Sequence, residues 1–173
     1  MTRVVITGMG AITPLGNDVQ TFTANAYAGK IGIGPITKFD AEETGITVAG
    51  EVKNFDPADK VGKKAAKRMD LFSQYAVASA VEAVEQAGIT EENTRSEDLG
   101  VIYGSGIGGL TTIQEQIIKM HEKGPQRVSP MFVPTAIANM AAGNIAIWFH
   151  AQNICTAIVT ACATGTNSIG EAY

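Results

Sequence analysis

The stretch VTACATGTNSIG, residues 159–170, places one cysteine among small residues directly after the apolar run NICTAIV (153–159). The run reads as a strand, and the residues after it read as a tight turn opening into a helix. Two functions compete for Cys162. Cysteine is by default a small, well-buried hydrophobe. At a strand-to-helix junction, however, unpaired N–H groups and the helix dipole favour a thiolate, which is the nucleophilic form. Ala161, Ala163 and Gly165 leave room for an incoming carbonyl carbon, and the Cys162 N–H can face the oxyanion that such an attack creates. Cys155, in the middle of the apolar run, reads as a buried, inert thiol.

Working outward, RVVIT (3–7) reads as a buried strand, followed by the Gly/Pro/Asn-rich loop GMGAITPLGN (8–17). Asn17 or Asp18 caps a helix through about Tyr27, with Gly29 as its stop. ITVAGEV (46–52) alternates as a short strand. A helix over residues 68–86 places Leu71, Tyr75, Ala78, Val81 and Val84 on one face and ends before Gly88. LGVIYG (99–104) is a second buried strand, GLTTIQEQIIKMHEK (109–123) a helix, and TAIANMAAGNIAIWF (135–149) a third helix rich in small residues. Strands alternating with helices predict an α/β domain with a mixed, mostly parallel sheet and packed helices.

With 173 residues, 45% apolar and 17% charged, the chain suits one globular domain. A net charge of -4 argues against nucleic acid as the main partner. The start, Met1 to Thr7, runs straight into strand-like residues and reads as lacking a signal peptide. Two cysteines suit a reducing, cytoplasmic setting, and their spacing suggests no metal site. No Asp, Glu, Lys or Arg occurs from Val128 to Gly170. Prolines and asparagines interrupt that stretch, so it offers no membrane span of about 20 apolar residues. It is expected to be buried in the core and in a subunit interface.

Three further motifs each admit two readings. GSGIGG (104–109) matches the dinucleotide fingerprint G-x-G-x-x-G, but the acidic residue expected about 20 positions later is missing. Tight helix–strand packing is the favoured reading, with a Rossmann-like nucleotide module as the alternative. KKAAKR (63–68) sets Lys63, Lys64, Lys67 and Arg68 on one side of a helix start, either as a solvated face or as a dock for an acidic partner. His121 and His150 both read as helix-end residues rather than as catalytic bases.

Taken together, VTACATGTNSIG, RVVITGMGAITPLGNDV, GIGPITKFD (32–40), KRMDLFSQYA (67–76), GSGIGGL (104–110) and SPMFVPTAIANMAAG (129–143) resemble the β-ketoacyl-[acyl-carrier-protein] synthases, most of all the type II elongating enzymes of bacterial fatty-acid synthesis. The resemblance implies a thiolase-like fold built from two similar halves, a homodimer, and a decarboxylating Claisen condensation without a cofactor. Residues 1–173 would form the first half. Cys162 would accept the acyl group from acyl carrier protein, Ile107 would line the acyl pocket, and Phe132 would reach toward the partner subunit's pocket. Lys64, Lys67 and Arg68 would greet the acidic carrier protein. The family's two histidine motifs and its glycine-and-phenylalanine loop have no counterpart in these residues. The chain by itself is therefore expected to be inactive in condensation. A non-catalytic, truncated half-domain is the alternative.

Overall fold

In LFSQYAVASAVEAVEQA, residues with good helical propensity follow an aspartate and precede a glycine. The computed structural model, which describes residues 3–173, forms the helix α4 there (Leu71–Ala87). The Asp70 carboxylate accepts from the Phe72 N–H at the start, and Gly88 closes the end in the left-handed region. Met1 and Thr2, the beginning of the start read as leaderless, lie outside the described residues.

In chain order the other elements are α1 (Val19–Tyr27), β1 (Ile33–Pro35), β2 (Val48–Gly50), α2 (Pro57–Lys60), α3 (Lys63–Ala66), β3 (Val101–Ile102), α5 (Leu110–Lys123), α6 (Phe132–Ala136), α7 (Met140–Trp148), β4 (Cys155–Thr156) and α8 (Thr164–Ala172). The core lies where α4 meets α7. Ala76, Val77 and Ala78 of α4 are wholly buried, as is Ala141 of α7, with Ala142 and Ile145 beside them. Small side chains let the two helix backbones come close, so the buried side of α4 is not the expected one. Of Leu71, Tyr75, Ala78, Val81 and Val84, only Ala78 is fully enclosed. Tyr75 instead lies edge-on to Phe55, ring centroids 4.9 Å apart.

The N-terminal loop is laid against the second half of α4. Glu82 accepts from the N–H groups of Ala11 (3.0 Å) and Val19 (2.8 Å), and Gln86 accepts from the Met9 N–H (2.6 Å). At its other end the Asp18 carboxylate caps α1, and the backbone and hydroxyl hydrogen bonds from Thr21 hold that carboxyl below its ordinary pKa. Residues 3–7 correct the expectation of a buried strand. Among the described residues nothing pairs with them, and Val4, Val5 and Ile6 are exposed. Apolar, extended residues become a strand only when a neighbour completes the hydrogen-bond ladder.

The predicted parallel pairing is present. β3 and β4 run parallel with Val101 opposite Cys155, and the Val101 N–H donates to the Ile154 carbonyl at 2.7 Å. β4 has no second neighbour among the described residues, so Cys155 is exposed rather than buried. ITVAGEV contributes β2, which pairs antiparallel with β1 in a hairpin that periodicity did not announce. The helix expected over 135–149 is two helices. The Ala136 carbonyl accepts from the Gly109 N–H (2.8 Å), and Ile137 turns extended before α7 begins.

The uncharged stretch is only partly enclosed. Ala136, Ala141, Ala142 and Ile145 are buried, whereas Ile147, Ile154, Val159 and Ile169 are more than half exposed. KKAAKR also differs from expectation. Lys63 and Lys64 occupy the separate one-turn α3, Lys67 caps its end, and a break before Asp70 keeps their charge off the start of α4. The Gln74 amide closes that break by donating to the carbonyls of Ala66 (3.1 Å) and Met69 (2.9 Å).

Backbone closeness between the N-terminal loop and α4 has a direct test. A Cβ on Gly10 would sit 1.8 Å from the Ser79 carbonyl oxygen. Gly10→Ala is expected to lower the unfolding free energy by about 2–4 kcal/mol in chemical denaturation, and a loss below about 0.5 kcal/mol would mean the loop lies elsewhere.

Candidate functional site

Beyond β4 the chain must reverse into α8 within a few residues. Ala161 makes the turn by taking a left-handed backbone, φ 49°, which for a residue with a Cβ costs about 1–2 kcal/mol. A single 3-10 turn, Ala161–Ala163, follows and leads into α8. Thr164 holds the turn: its hydroxyl oxygen accepts from the Thr160 N–H at 2.9 Å, and its own carbonyl accepts from the Ser168 hydroxyl at 2.9 Å. Thr164 and Ser168 are buried, while Cys162 projects from the turn and is exposed. A Cβ on Gly165, three residues on, would meet nothing within 4 Å.

The 104–109 loop lies against this turn. A Cβ on Gly104 would fall 2.2 Å from Thr164 Cγ2 and 2.3 Å from the Ile158 carbonyl oxygen. At Gly106 a Cβ would stand 3.7 Å from the Ala161 carbonyl oxygen. Gly108, at φ 86°, is pressed to the backbone of residues 136–138. Two of the loop's amides are engaged internally, Gly108 N–H to the Ser105 hydroxyl (3.0 Å) and Gly109 N–H to the Ala136 carbonyl (2.8 Å). Close packing therefore accounts for Gly104, Gly108 and Gly109 of GSGIGG, and those two amides are not turned outward toward a phosphate. Tyr103, just before the loop, is largely enclosed; burial pushes its phenol up, with a hydrogen bond involving Ser79 partly opposing the shift.

Of the residues singled out in sequence, Ile107 is carried by the loop that touches the Cys162 turn, and its side chain is exposed. Phe132 is half-buried at the first position of α6, the helix whose other end is bonded to Gly109. Lys64, Lys67 and Arg68 are all exposed. Lys64 and Arg68 rim a groove of about 660 Å³ floored by Met69, Met140 and Trp148, and Met131 extends it to the start of α6. His121 lies in the last turn of α5, and His150 follows α7 in the left-handed region, φ 52°. Among the described residues no cluster of His, Cys, Asp or Glu could hold a metal ion, and no helix is long and apolar enough to cross a membrane.

Sequence reasoning missed Asp70 and Thr112. Asp70 precedes an apolar helical run, which is the pattern of a cap. Its second partner lies 42 residues away in sequence: the backbone N–H (3.2 Å) and hydroxyl of Thr112 both donate to Asp70 Oδ2. No local pattern signals a bond of that span.

Comparison with known proteins agrees with this geometry. The family model described as beta-ketoacyl synthase, N-terminal domain, matches residues 1–173. The 3-oxoacyl-[acyl-carrier-protein] synthase 2 of Staphylococcus aureus strain N315 is 50% identical over 99% of this chain, and the protein of that name from Synechocystis is 44% identical over 99%. The chain spans 41% of the length of each of these relatives. Among solved structures, the ishigamide ketosynthase/chain length factor superposes with a TM-score of 0.79 at 32% identity, covering 97% of this chain and 44% of that one. A beta-ketoacyl synthase from Burkholderia phymatum superposes with a TM-score of 0.81 at 27% identity, covering 100% of this chain and 43% of that one. A type II polyketide acyl-carrier protein in complex with its ketosynthase, 19% identical with a TM-score of 0.78 over 97% of this chain and 44% of that one, shares the fold. An exposed cysteine on a strained turn, in a thiolase-like α/β fold matched from end to end, makes this chain a member of the beta-ketoacyl synthase family, as its N-terminal domain.

Proposed function

We propose that residues 1–173 are the nucleophile-bearing half of a 3-oxoacyl-[acyl-carrier-protein] synthase that elongates fatty acids in the cytoplasm as a homodimer. The observation that carries this reading is the exposed Cys162 on its left-handed turn, in a chain half identical to synthases of that name. The Cys162 thiolate attacks the carbonyl carbon of an acyl thioester on the carrier protein. The Cys162 N–H is not among the amides that close the 3-10 turn, whose bonds run from Ala163 to the Thr160 carbonyl and from Thr164 to the Ala161 carbonyl. In this reading it donates to the oxyanion. Collapse of the tetrahedral intermediate expels the carrier's thiolate, which takes up a proton, and leaves the acyl group on Cys162. In the second half-reaction a malonyl thioester loses carbon dioxide. The resulting carbanion attacks the acyl-cysteine carbonyl, a carbon–carbon bond forms, and the Cys162 thiolate departs. The residues on this chain account for the first half-reaction, and decarboxylation is assigned to groups outside it.

The remaining roles are those the family resemblance implies. Ile107, on the loop against the Cys162 turn, lines the acyl path, and Phe132 reaches from α6 toward the partner subunit. Lys64, Lys67 and Arg68 form the basic surface that receives the acidic carrier protein; a carrier protein seated on its ketosynthase in the polyketide relative supports a partner of that kind. The exposed apolar residues Ile147, Ile154 and Val159 suit a homodimer interface.

Acyl transfer is tested by incubating the complete gene product with an acyl carrier protein bearing a saturated acyl chain and mapping the adduct by mass spectrometry. One acyl group is expected on Cys162, and none in Cys162→Ala; an unmodified Cys162, or acylation of Cys155, would overturn the assignment. Both thiols are exposed, so a small alkylating agent compares their chemistry rather than their access. Cys162 is expected to react faster, and equal rates would return it to an ordinary thiol. Reversing Lys64, Lys67 and Arg68 together to glutamate is expected to raise the KM for the acyl carrier protein about tenfold and to flatten its salt dependence. Acyl transfer from a small acyl thioester should be unchanged, and an equal loss with both substrates would place the docking surface elsewhere.

A further inference from the structure

We propose that Asp70 and Thr112 are positioning residues that hold the 104–109 loop, and with it Ile107, in register with the Cys162 turn; the inference rests on the acyl-transfer reading above. Asp70 serves two helices at once. Its Oδ1 accepts from the Phe72 N–H (3.2 Å) at the start of α4, and its Oδ2 accepts from the N–H (3.2 Å) and hydroxyl of Thr112 in the first turn of α5. Both bonds also place the carboxylate beside the loop itself. A Cβ on Gly109 would lie 2.8 Å from Asp70 Oδ2 and 3.0 Å from Ala136 Cα, so the loop's last residue is gripped between the carboxylate and α6. At the loop's first residue, Gly104 is pressed to Thr164 and Ile158. Ile107 sits between these two fixed points and is itself 65% exposed, with little packing of its own to hold it. Its placement therefore depends on the grips at either end. Asp70 also lies two residues beyond Arg68, so the carboxylate that grips the loop is carried on the segment that bears the basic surface.

Three variants of the complete gene product test this. Asp70→Asn keeps the Oδ1 acceptor that starts α4, Thr112→Val keeps side-chain shape but loses the hydroxyl donor, and Thr112→Ser restores that donor. Amide hydrogen exchange is read at Gly108 and Gly109 and, for comparison, at Val77 and Ala142 in the core. Acylation of Cys162 is read with a short and a long acyl chain on the carrier protein. Asp70→Asn and Thr112→Val are expected to speed exchange at the two loop amides about tenfold with the core amides unchanged, and to slow long-chain acylation about fivefold more than short-chain acylation. Thr112→Ser is expected to restore both. Unchanged loop exchange, or losses equal for both chains that track faster exchange in the core, would overturn the inference. If the unaltered protein does not acylate Cys162 at all, the acyl-transfer reading falls, and the exchange data still decide whether Asp70 and Thr112 hold the loop.

Discussion

Close backbone approach to one helix governs how the rest of this chain is arranged. Along α4, Ala76, Val77 and Ala78 are wholly enclosed, and the facing positions of α7 are Ala141, Ala142 and Ile145. Side chains this small contribute modest burial individually, about 0.8 kcal/mol per methylene-sized group. Their value lies in letting backbones pack at short range, where dispersion contacts are dense and no void remains. The same helix sets the course of the N-terminal loop. Gly8 and Gly10 stand where any side chain would enter the Ala83 and Ser79 carbonyls, and Glu82 and Gln86 satisfy the amides of the loop that runs past them.

A second junction follows from the first. With α4 and α7 held together, the 104–109 loop has to pass between the Cys162 turn, the end of α6 and the Asp70 cap. It does so because its glycines present backbone to each neighbour in succession: Gly104 to Thr164 and Ile158, Gly106 to Ala161, Gly108 and Gly109 to residues 136–138. The exposed Cys162 is thereby seated on a turn whose strain is opposed by hydrogen bonds at Thr164 and Ser168.

The surface also carries large exposed apolar residues. Ile147, Ile154, Val159 and Ile169 are exposed within a stretch that carries no Asp, Glu, Lys or Arg, and among the described residues β4 pairs with β3 alone. The chain spans 41% of the length of the synthases it matches.

Much of the architecture was legible in order and type. The apolar runs LGVIYG and NICTAIV, the aspartate before α1 and the glycine after α4 are local signals, because a cap, a stop or a short apolar run is written within a few residues. The position of Cys162 at the head of a helix belongs to that class, as does the resemblance carried by several motifs in order. What depended on distant partners was not legible. Among the described residues RVVIT has strand composition without a ladder, and Cys155 looked interior but lies exposed on a strand paired on one side only; the 135–149 helix is interrupted where the Ala136 carbonyl bonds to Gly109. The glycines of GSGIGG could have served a phosphate or a neighbouring backbone, and the sequence alone left both open. Only the tertiary structure brought Asp70 to Thr112 and the loop to the Cys162 turn. Sequence determines which conformations are locally inexpensive, whereas three-dimensional packing decides which backbone and polar groups finally meet.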